Sequence, residues 1–542
     1  MCRHFQPEAD GAVDMPNGMR GAGSSSPSDA ALSKDASTLP NPADAGGAGD
    51  ASSDDDALLD TLPGGPPSFQ FRADTVTMNG AGIATIPNRR GIDALVAKAG
   101  ELSAPAADSL LGGAPALVFN GTQWLDSNLP PTAWRFLHDG TGSEVFLISV
   151  ATSAATQCLW STHQDTLGAS SSGARITRNA TTTLGSRISN GTTLVSNQLF
   201  GAAPTGAAYY VDTAYGSAEP VDVLGFLNAA LGASGTQSAS PSSGNPEATL
   251  RLGACAVDDS LPAQMKFAEL LIFPRVLHEY ERQLVREYIQ ARYGITAPSL
   301  VGADRELMSL LPFSWLDAAA YDMADGKVTS FRDRARPGHA YAQSGPGYRV
   351  SVPTADSTLN GQLSATFTGG QRYSSTLEAS EWKFLTSDSG SEVQLVFVPT
   401  NFAAAYTFLS TYSTAGSNAL QLYANATPAA TLYIQNESNQ DIAGLSRPLT
   451  AGAAQCLSFR HFKGQSPNLT FRANGAEVTG NYLKTPGTGG PSNPLCVGAN
   501  PGGTAQFSYA RIASVIAFNR ELSAVERTRL QAATQAKWGI AP

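Results

Sequence analysis

One stretch of this chain occurs twice, and it limits what the whole can be. Residues 267–298 read FAELLIFPRVLHEYERQLVREYIQARYGITAP, and residues 510–542 read ARIASVIAFNRELSAVERTRLQAATQAKWGIAP. At an offset of 245 positions, Phe273, Arg275, Leu277, Glu281, Arg282, Tyr293 and Gly294 meet Phe518, Arg520, Leu522, Glu526, Arg527, Trp538 and Gly539. Similarity at a long fixed period marks a duplicated unit.

The ending predicts its own local structure. Val515-Ile516-Ala517-Phe518 is an apolar run of strand length. Ser523 and Glu526 then form a capping box that starts a helix, and Gly539 stands where a left-handed cap would stop it. His278 replaces the capping serine in the first copy, which predicts a weaker start there.

A second block repeats at offset 248: WRFLHDGTGSEVFLISV (134–150) faces WKFLTSDSGSEVQLVFV (382–398). Leu252-Gly253-Ala254 also meets Val497-Gly498-Ala499. Between the blocks, short alternating runs are separated by turn signals such as Asn190-Gly191, Asn474-Gly475 and Asp325-Gly326. This pattern, with 53 glycines, 33 prolines and only 15% charged residues, predicts an all-β chain. The expected architecture is two tandem jelly-roll β-sandwiches, each ending in a short C-terminal α-helix. The first spans 68–298 and the second 311–542, joined by a linker at 299–310 with a helical turn near its end. Trp134, Trp382, Trp315 and Trp538 read as core.

Residues 1–67 read as a disordered acidic tether. They hold eleven acidic side chains against Arg3, Arg20 and Lys34, most of the chain's net charge of −10. The rest is nearly neutral and shows no basic patch, so no nucleic-acid partner is expected. No apolar run approaches the length of a transmembrane span. Cys2 is followed by this tether, the arrangement of a lipid-anchored surface protein. Of the other cysteines, Cys158 and Cys255 fall in one half and Cys456 and Cys496 in the other. One bridge per half is open to them, but buried free thiols are the plainer expectation.

The run strand–Phe–x–Arg–x–Leu…Glu–Arg…Tyr/Trp–Gly–Ile resembles the C-terminal ending of laminin-G-like modules of the concanavalin A-like lectin/glucanase superfamily. The opening Trp315-Leu316-Asp317-Ala318 resembles that family's beginning, and the first unit departs from it with Phe71-Arg72-Ala73-Asp74. The resemblance implies the sandwich fold and an extracytoplasmic role, at a cell surface or secreted. It does not specify function, because the fold hosts lectins, adhesion modules, spacers and glycosidases.

Laminarinase-like members of the superfamily carry Glu-x-Asp-x-x-Glu on one strand, and no glutamate here begins that pattern. Retaining hydrolysis needs two carboxyl groups roughly 5–5.5 Å apart. Glu144 and Glu392 are single, in matching Ser-Glu-Val contexts, and read as structural; Glu281 and Glu526 belong to helix starts. The histidines show no metal-ligand spacing. The expectation is therefore a non-catalytic protein that binds a glycan or a surface protein. A spacer or assembly role is the alternative, and a hydrolase built from carboxylates on separate strands comes third.

For the ligand surface, the sequence suggests Trp124, Asp126, His138, Arg372 and Tyr373. Trp124 and Leu125 face Arg372 and Tyr373 across the repeat while Phe119 and Phe367 persist, so this position changes on a constant scaffold. Calcium at a sheet rim would draw on Asp139, Asp258, Asp259, Asp322 and Asp325. Aspartate is equally a good turn residue.

Overall fold

The computed structural model describes residues 56–540, apart from 164–171, 217–222, 238, 258, 344, 388–389, 403, 413–417, 437, 439–440, 463–465 and 502–505. Of the tether expected at 1–67, residues 1–55, including Cys2, lie outside the described residues. Antiparallel strands dominate the rest, and the C-terminal segment Ala524–Trp538 is a helix.

In the first half, seven strands run in order along one sheet, with Gln264–Phe273 near its middle, and Phe69–Arg72 also pairs with that strand. Nine others form a second sheet. One core gathers Leu117, Phe119 and Leu147 from the first sheet with Ile86, Leu125 and Ile176 from the second. The second half repeats the strand order, but its two layers count as one sheet of 16 strands. The reason is local. Ser314–Ala324 is one long strand that pairs with Tyr509–Phe518 at its start and with Lys327–Asp333 at its end. In the first half the matching path is cut by a 3-10 turn at Ala73–Thr75, leaving Phe69–Arg72 in one sheet and Thr77–Asn79 in the other. The register also aligns Gln70, not Phe71, with Trp315, since they face Leu271 and Ile516.

Helices α1 (Asp56–Asp60), α2 (Glu279–Tyr293), α3 (Gly302–Ser309) and α4 (Ala524–Trp538) lie outside these layers. The weaker start expected for α2 is corrected by the structure. His278 Nδ1 accepts from the Tyr280 amide (3.1 Å), and Glu281 accepts from the His278 amide (3.0 Å), so an imidazole does the work of Ser523 in α4. The other ring nitrogen lies 3.0 Å from the Pro312 carbonyl, tying the start of α2 to the second half. Gly294 and Gly539 close both helices at φ 66° and 71°.

Two expected boundaries move. Residues 56–67 belong to the folded unit rather than the tether, because Leu59 and Leu62 are buried against α2 and Asp56 pairs with Arg72 and Arg89. The linker at 299–310 is largely α3, whose Leu307 and Met308 pack in the α4 cluster. Ion pairs Asp304–Lys537 (2.6 Å), Glu306–Arg529 (2.5 Å) and Arg305–Glu287 (2.7 Å) pin α3 between α4 and α2. The two changes have one structural origin. Arg275 bonds the Gly65 carbonyl, and Arg520 bonds the Leu310 carbonyl, each at 2.9 Å. Each repeat therefore begins with its own short helix docked on its own last helix. The signal was ALLDTLP (57–63) against ELMSLLP (306–312).

Glu144 and Glu392 join helix to sheet, as expected for structural residues. Glu144 takes two bonds from Arg282 (2.7 and 2.9 Å) and one from the Leu277 amide (2.8 Å). Glu392 meets Arg527 at 3.1 Å. Asp212, unnoticed in the sequence, stands buried on the adjacent strand, and burial followed by the nearby Glu144 charge raises its pKa well above the ordinary range.

Candidate functional site

The strand Trp124–Ser127 alternates: Leu125 and Ser127 point into the core, while Trp124 and Asp126 lie half-buried on the outer face of the sheet. Directly opposite Asp126 stands Arg251. Its guanidinium grips Asp126 at 2.6 and 3.0 Å and also pairs with Asp259. Its carbon sits 5.1 Å from the centre of the Trp124 ring, a cation–π stack. Burial opposes the Arg251 charge, but Asp126 and Asp259 more than offset it and its pKa is raised. Three of the suggested residues, Trp124, Asp126 and Asp259, thus meet around a fourth that the sequence reading passed over. Its position just before Leu252-Gly253-Ala254 was the available signal.

The second copy has an aromatic–guanidinium pair beside the same strand, built from different positions: Cys496 takes the place of Arg251, and the aromatic partner comes from the 3-10 turn Pro346–Tyr348. Arg372 occupies the position of Trp124, and its guanidinium lies 5.0 Å from the ring centre of Tyr348. Phe507 stacks behind Tyr348 at 6.2 Å and 19°. Next to Phe507 in the chain, Gln506 joins an amide cluster: Gln421 Nε2 donates to Gln506 Oε1 (3.0 Å), Asn500 Oδ1 (3.0 Å) and Thr407 Oγ1 (2.9 Å). Tyr348 and Phe507 come from loops without periodicity, so no pattern in the sequence pointed to them.

Polar rows extend both patches. Arg187, Arg175, Ser161, Arg251 and Asp126 stand opposite one another on successive strands. Tyr433, Gln421, Ser410, Cys496 and Ser374 do so in the second half. Arg175, Ser161, Gln421, Ser410 and Cys496 in these rows are buried, so the polar groups accessible beside the aromatic rings are those of Arg187, Arg251 and Asp126 in the first copy and of Tyr433 and Ser374 in the second.

The structure removes other residues from the site. Tyr373 is fully buried; its hydroxyl donates to the Val328 carbonyl (2.8 Å) and accepts from the Val350 amide (2.9 Å). Alternation is the cause, since Arg372 faces out and the next residue must face in. Burial pushes its phenol up to about 12. His138 is likewise buried, and burial lowers it to about 4.

The four calcium candidates among the described residues do not assemble. Asp139 closes a turn, accepting from the Thr141 amide (2.9 Å) and pairing with Arg135 (3.2 Å). Asp325 takes φ 52° beside Gly326 at 71°, the conformation a two-residue hairpin needs. Asp322 is exposed and accepts from Ser330 (3.0 Å). Asp259 is held by Arg251, and Asp258 lies outside the described residues. Among the described residues, no group of three or more His, Cys, Asp or Glu side chains is placed to hold a metal ion. The four described aspartates do not form a calcium donor set.

A pH dependence follows from His138, His339 and His461, each lowered to about 4 by burial. An unfolded histidine titrates near 6.5. Between these values the unfolded chain binds more protons, so each histidine costs about 1.4 kcal/mol of stability per pH unit as pH falls from 6.5 towards 4. The imidazole resonances of these three should remain neutral at pH 5 by NMR. Midpoints near 6.5 would refute the burial argument.

No protein-family model matches the chain, and no curated protein matches it. Solved structures with similar features include domains LG4-5 of the mouse laminin alpha1 chain: 13% identity, 71% of this chain and 86% of that one, TM-score 0.24. Domain 4 of an extracellular arabinanase from Geobacillus stearothermophilus, in complex with arabinotriose, is 16% identical over 41% of this chain and 98% of that one, TM-score 0.28. The CBM40 of the Ruminococcus gnavus IT-sialidase bound to alpha2,3 sialyllactose is 13% identical over 32% of this chain and 96% of that one, TM-score 0.26. At these scores the matches are too remote to assign a family, and the functional reading rests on the side chains.

Proposed function

We propose that this chain is a non-catalytic, extracytoplasmic binding protein made of two laminin-G-like sandwich modules, which recognises a glycan through the outer faces of its sheets. The observation that carries the reading is an aromatic–guanidinium stack on each copy, Trp124 with Arg251 and Tyr348 with Arg372, in which Trp124 and Arg372 hold equivalent strand positions. A flat ring beside fixed amides and carboxylates suits the apolar face and the hydroxyls of a sugar ring. Residue identities differ between copies, so the two modules prefer different sugars.

Catalysis is disfavoured because the carboxyl groups from neighbouring strands, Glu144 and Asp212, are fully buried and Glu144 is committed to Arg282. Among the described residues no helix is long and apolar enough to cross a membrane. Attachment through Cys2 remains part of the proposal.

The test is a glycan array on the full chain, followed by calorimetric titration of the best oligosaccharide. Trp124→Ala should weaken the first module's ligand about tenfold, and Arg372→Ala or Tyr348→Ala the second's, as expected for a stack of 1–2 kcal/mol. Unfolding midpoints should stay near wild type. A blank array, or affinities indifferent to all three substitutions, would overturn the reading in favour of a spacer.

A further inference from the structure

The two copies share their backbone beneath the patches but differ in one buried pair. In the second copy, Thr407 and Asn500 touch: Thr407 Oγ1 lies 3.3 Å from Asn500 Oδ1, and Gln421 bonds both. In the first copy the equivalent positions are Cys158 and Cys255, with Arg175 in place of Gln421. The hydrogen bonds establish the equivalence. Cys158 donates its amide to Leu261 (2.7 Å) as Thr407 does to Gln506 (2.9 Å). Gly253 bonds Leu159 as Gly498 bonds Phe408, both at 2.9 Å, and Ala263 bonds Gly253 as Ser508 bonds Gly498, both at 2.7 Å.

In the structure all four described cysteines are thiols, and in the first copy one short segment bonds the backbone of both members of the pair. The amides of Cys255 and Cys158 bond the successive carbonyls of Ser260 and Leu261, at 2.9 and 2.7 Å. Both thiols are fully buried, and Arg175 Nη1 donates to Cys255 Sγ at 3.6 Å. We propose that Cys158 and Cys255 are a disulfide site, which fastens the turn after Cys255 to the strand carrying Cys158.

The turn is a place where a fastening has an effect. Val257, Asp259 and Leu261 all have positive φ (75°, 56° and 51°), and a β-branched residue there is strained. The turn also presents Asp259 to Arg251 beside Trp124. The other two cysteines form a contrast. Cys456 packs in the cluster facing α4, whereas Cys496 lies on the opposite layer beyond Val497, with the core between. That separation prevents a bridge between them.

The bridge forms by exchange with a disulfide oxidant such as oxidised glutathione. One cysteine sulfur attacks it and displaces one glutathione thiolate. The second cysteine then attacks the mixed disulfide and displaces the other. Two thiols lose two electrons and two protons, and the oxidant becomes two molecules of reduced glutathione. The burial of both sulfurs places this step during folding, before the turn closes.

The full chain, refolded in oxidised and reduced glutathione, is quenched in acid, denatured and titrated for thiols, and its non-reduced peptides are mapped by mass spectrometry. The reduced protein has five cysteines, and three thiols should remain after oxidation, with Cys158 linked to Cys255. Cys158→Thr and Cys255→Asn, which install the second copy's residues, should each leave four thiols in a folded protein. Retention of all five in wild type, a glutathione adduct without the link, or a link between other cysteines would overturn the proposal. The result is independent of whether the patches bind sugar.

Discussion

Arg282→Met is expected to cost the protein about 3–5 kcal/mol, measured by urea unfolding, because it strands a charge where water cannot reach. The Glu144 and Arg282 side chains are buried and bonded through two parallel contacts. Asp212 stands beside them, and without Arg282 the two carboxyl groups are left with Arg286 as the nearby cation. Glu144→Gln with Arg282→Met together should recover part of the loss, since removing both charges leaves none unpaired. The second copy supplies an internal control. Glu392 and Arg527 make a single 3.1 Å contact, with the arginine side chain 18% exposed, so Arg527→Met should cost only about 1–2 kcal/mol. Equal losses in the two copies would show that burial is not what sets the difference.

Tyr373→Ala is the second large effect, and it separates core from binding surface. The ring packs edge-on against Phe331, with centroids 4.8 Å apart, and against Phe367 at 6.2 Å. Losing it should cost about 3–5 kcal/mol. Tyr373→Phe keeps the ring but strands the Val350 amide and the Val328 carbonyl, for about 1–3 kcal/mol. Neither should change glycan affinity in the fraction that remains folded. Arg372→Ala, one residue away, should do the reverse. If Tyr373→Phe weakened binding at an unchanged unfolding midpoint, the residue would belong to the site after all.

This pair of neighbours shows where sequence reasoning is strong and where it fails. The repeat made 124–125 and 372–373 equivalent, and that equivalence holds in the register. What the repeat did not assign was the face. Trp124 and Asp126 point out, Leu125 and Tyr373 point in, and one step along a strand reverses a side chain's surroundings. The aspartates failed differently. Asp139 and Asp325 sit in turns as expected, whereas Asp322 lies within the strand Ser314–Ala324, and gathering ligands from separate elements is a question that no spacing along the chain answers.

The sequence by itself determined the duplication, the strand-rich class, both capped helices and the structural work of Glu144, Glu392, Glu281 and Glu526. The duplication, the strand-rich class and the helix caps depend on contacts within a few residues or on a pattern carried by the chain, whereas Glu144 and Glu392 act through Arg282 and Arg527, 138 and 135 residues away. Only the tertiary structure decided that Arg251 joins Trp124, Asp126 and Asp259, that α1 and α3 begin the repeats, and that Cys158 and Cys255 share a buried place. The partners in each are brought together by strand pairing or helix docking, often from more than a hundred residues apart. At that range side-chain position depends on register and packing, which local propensity does not encode.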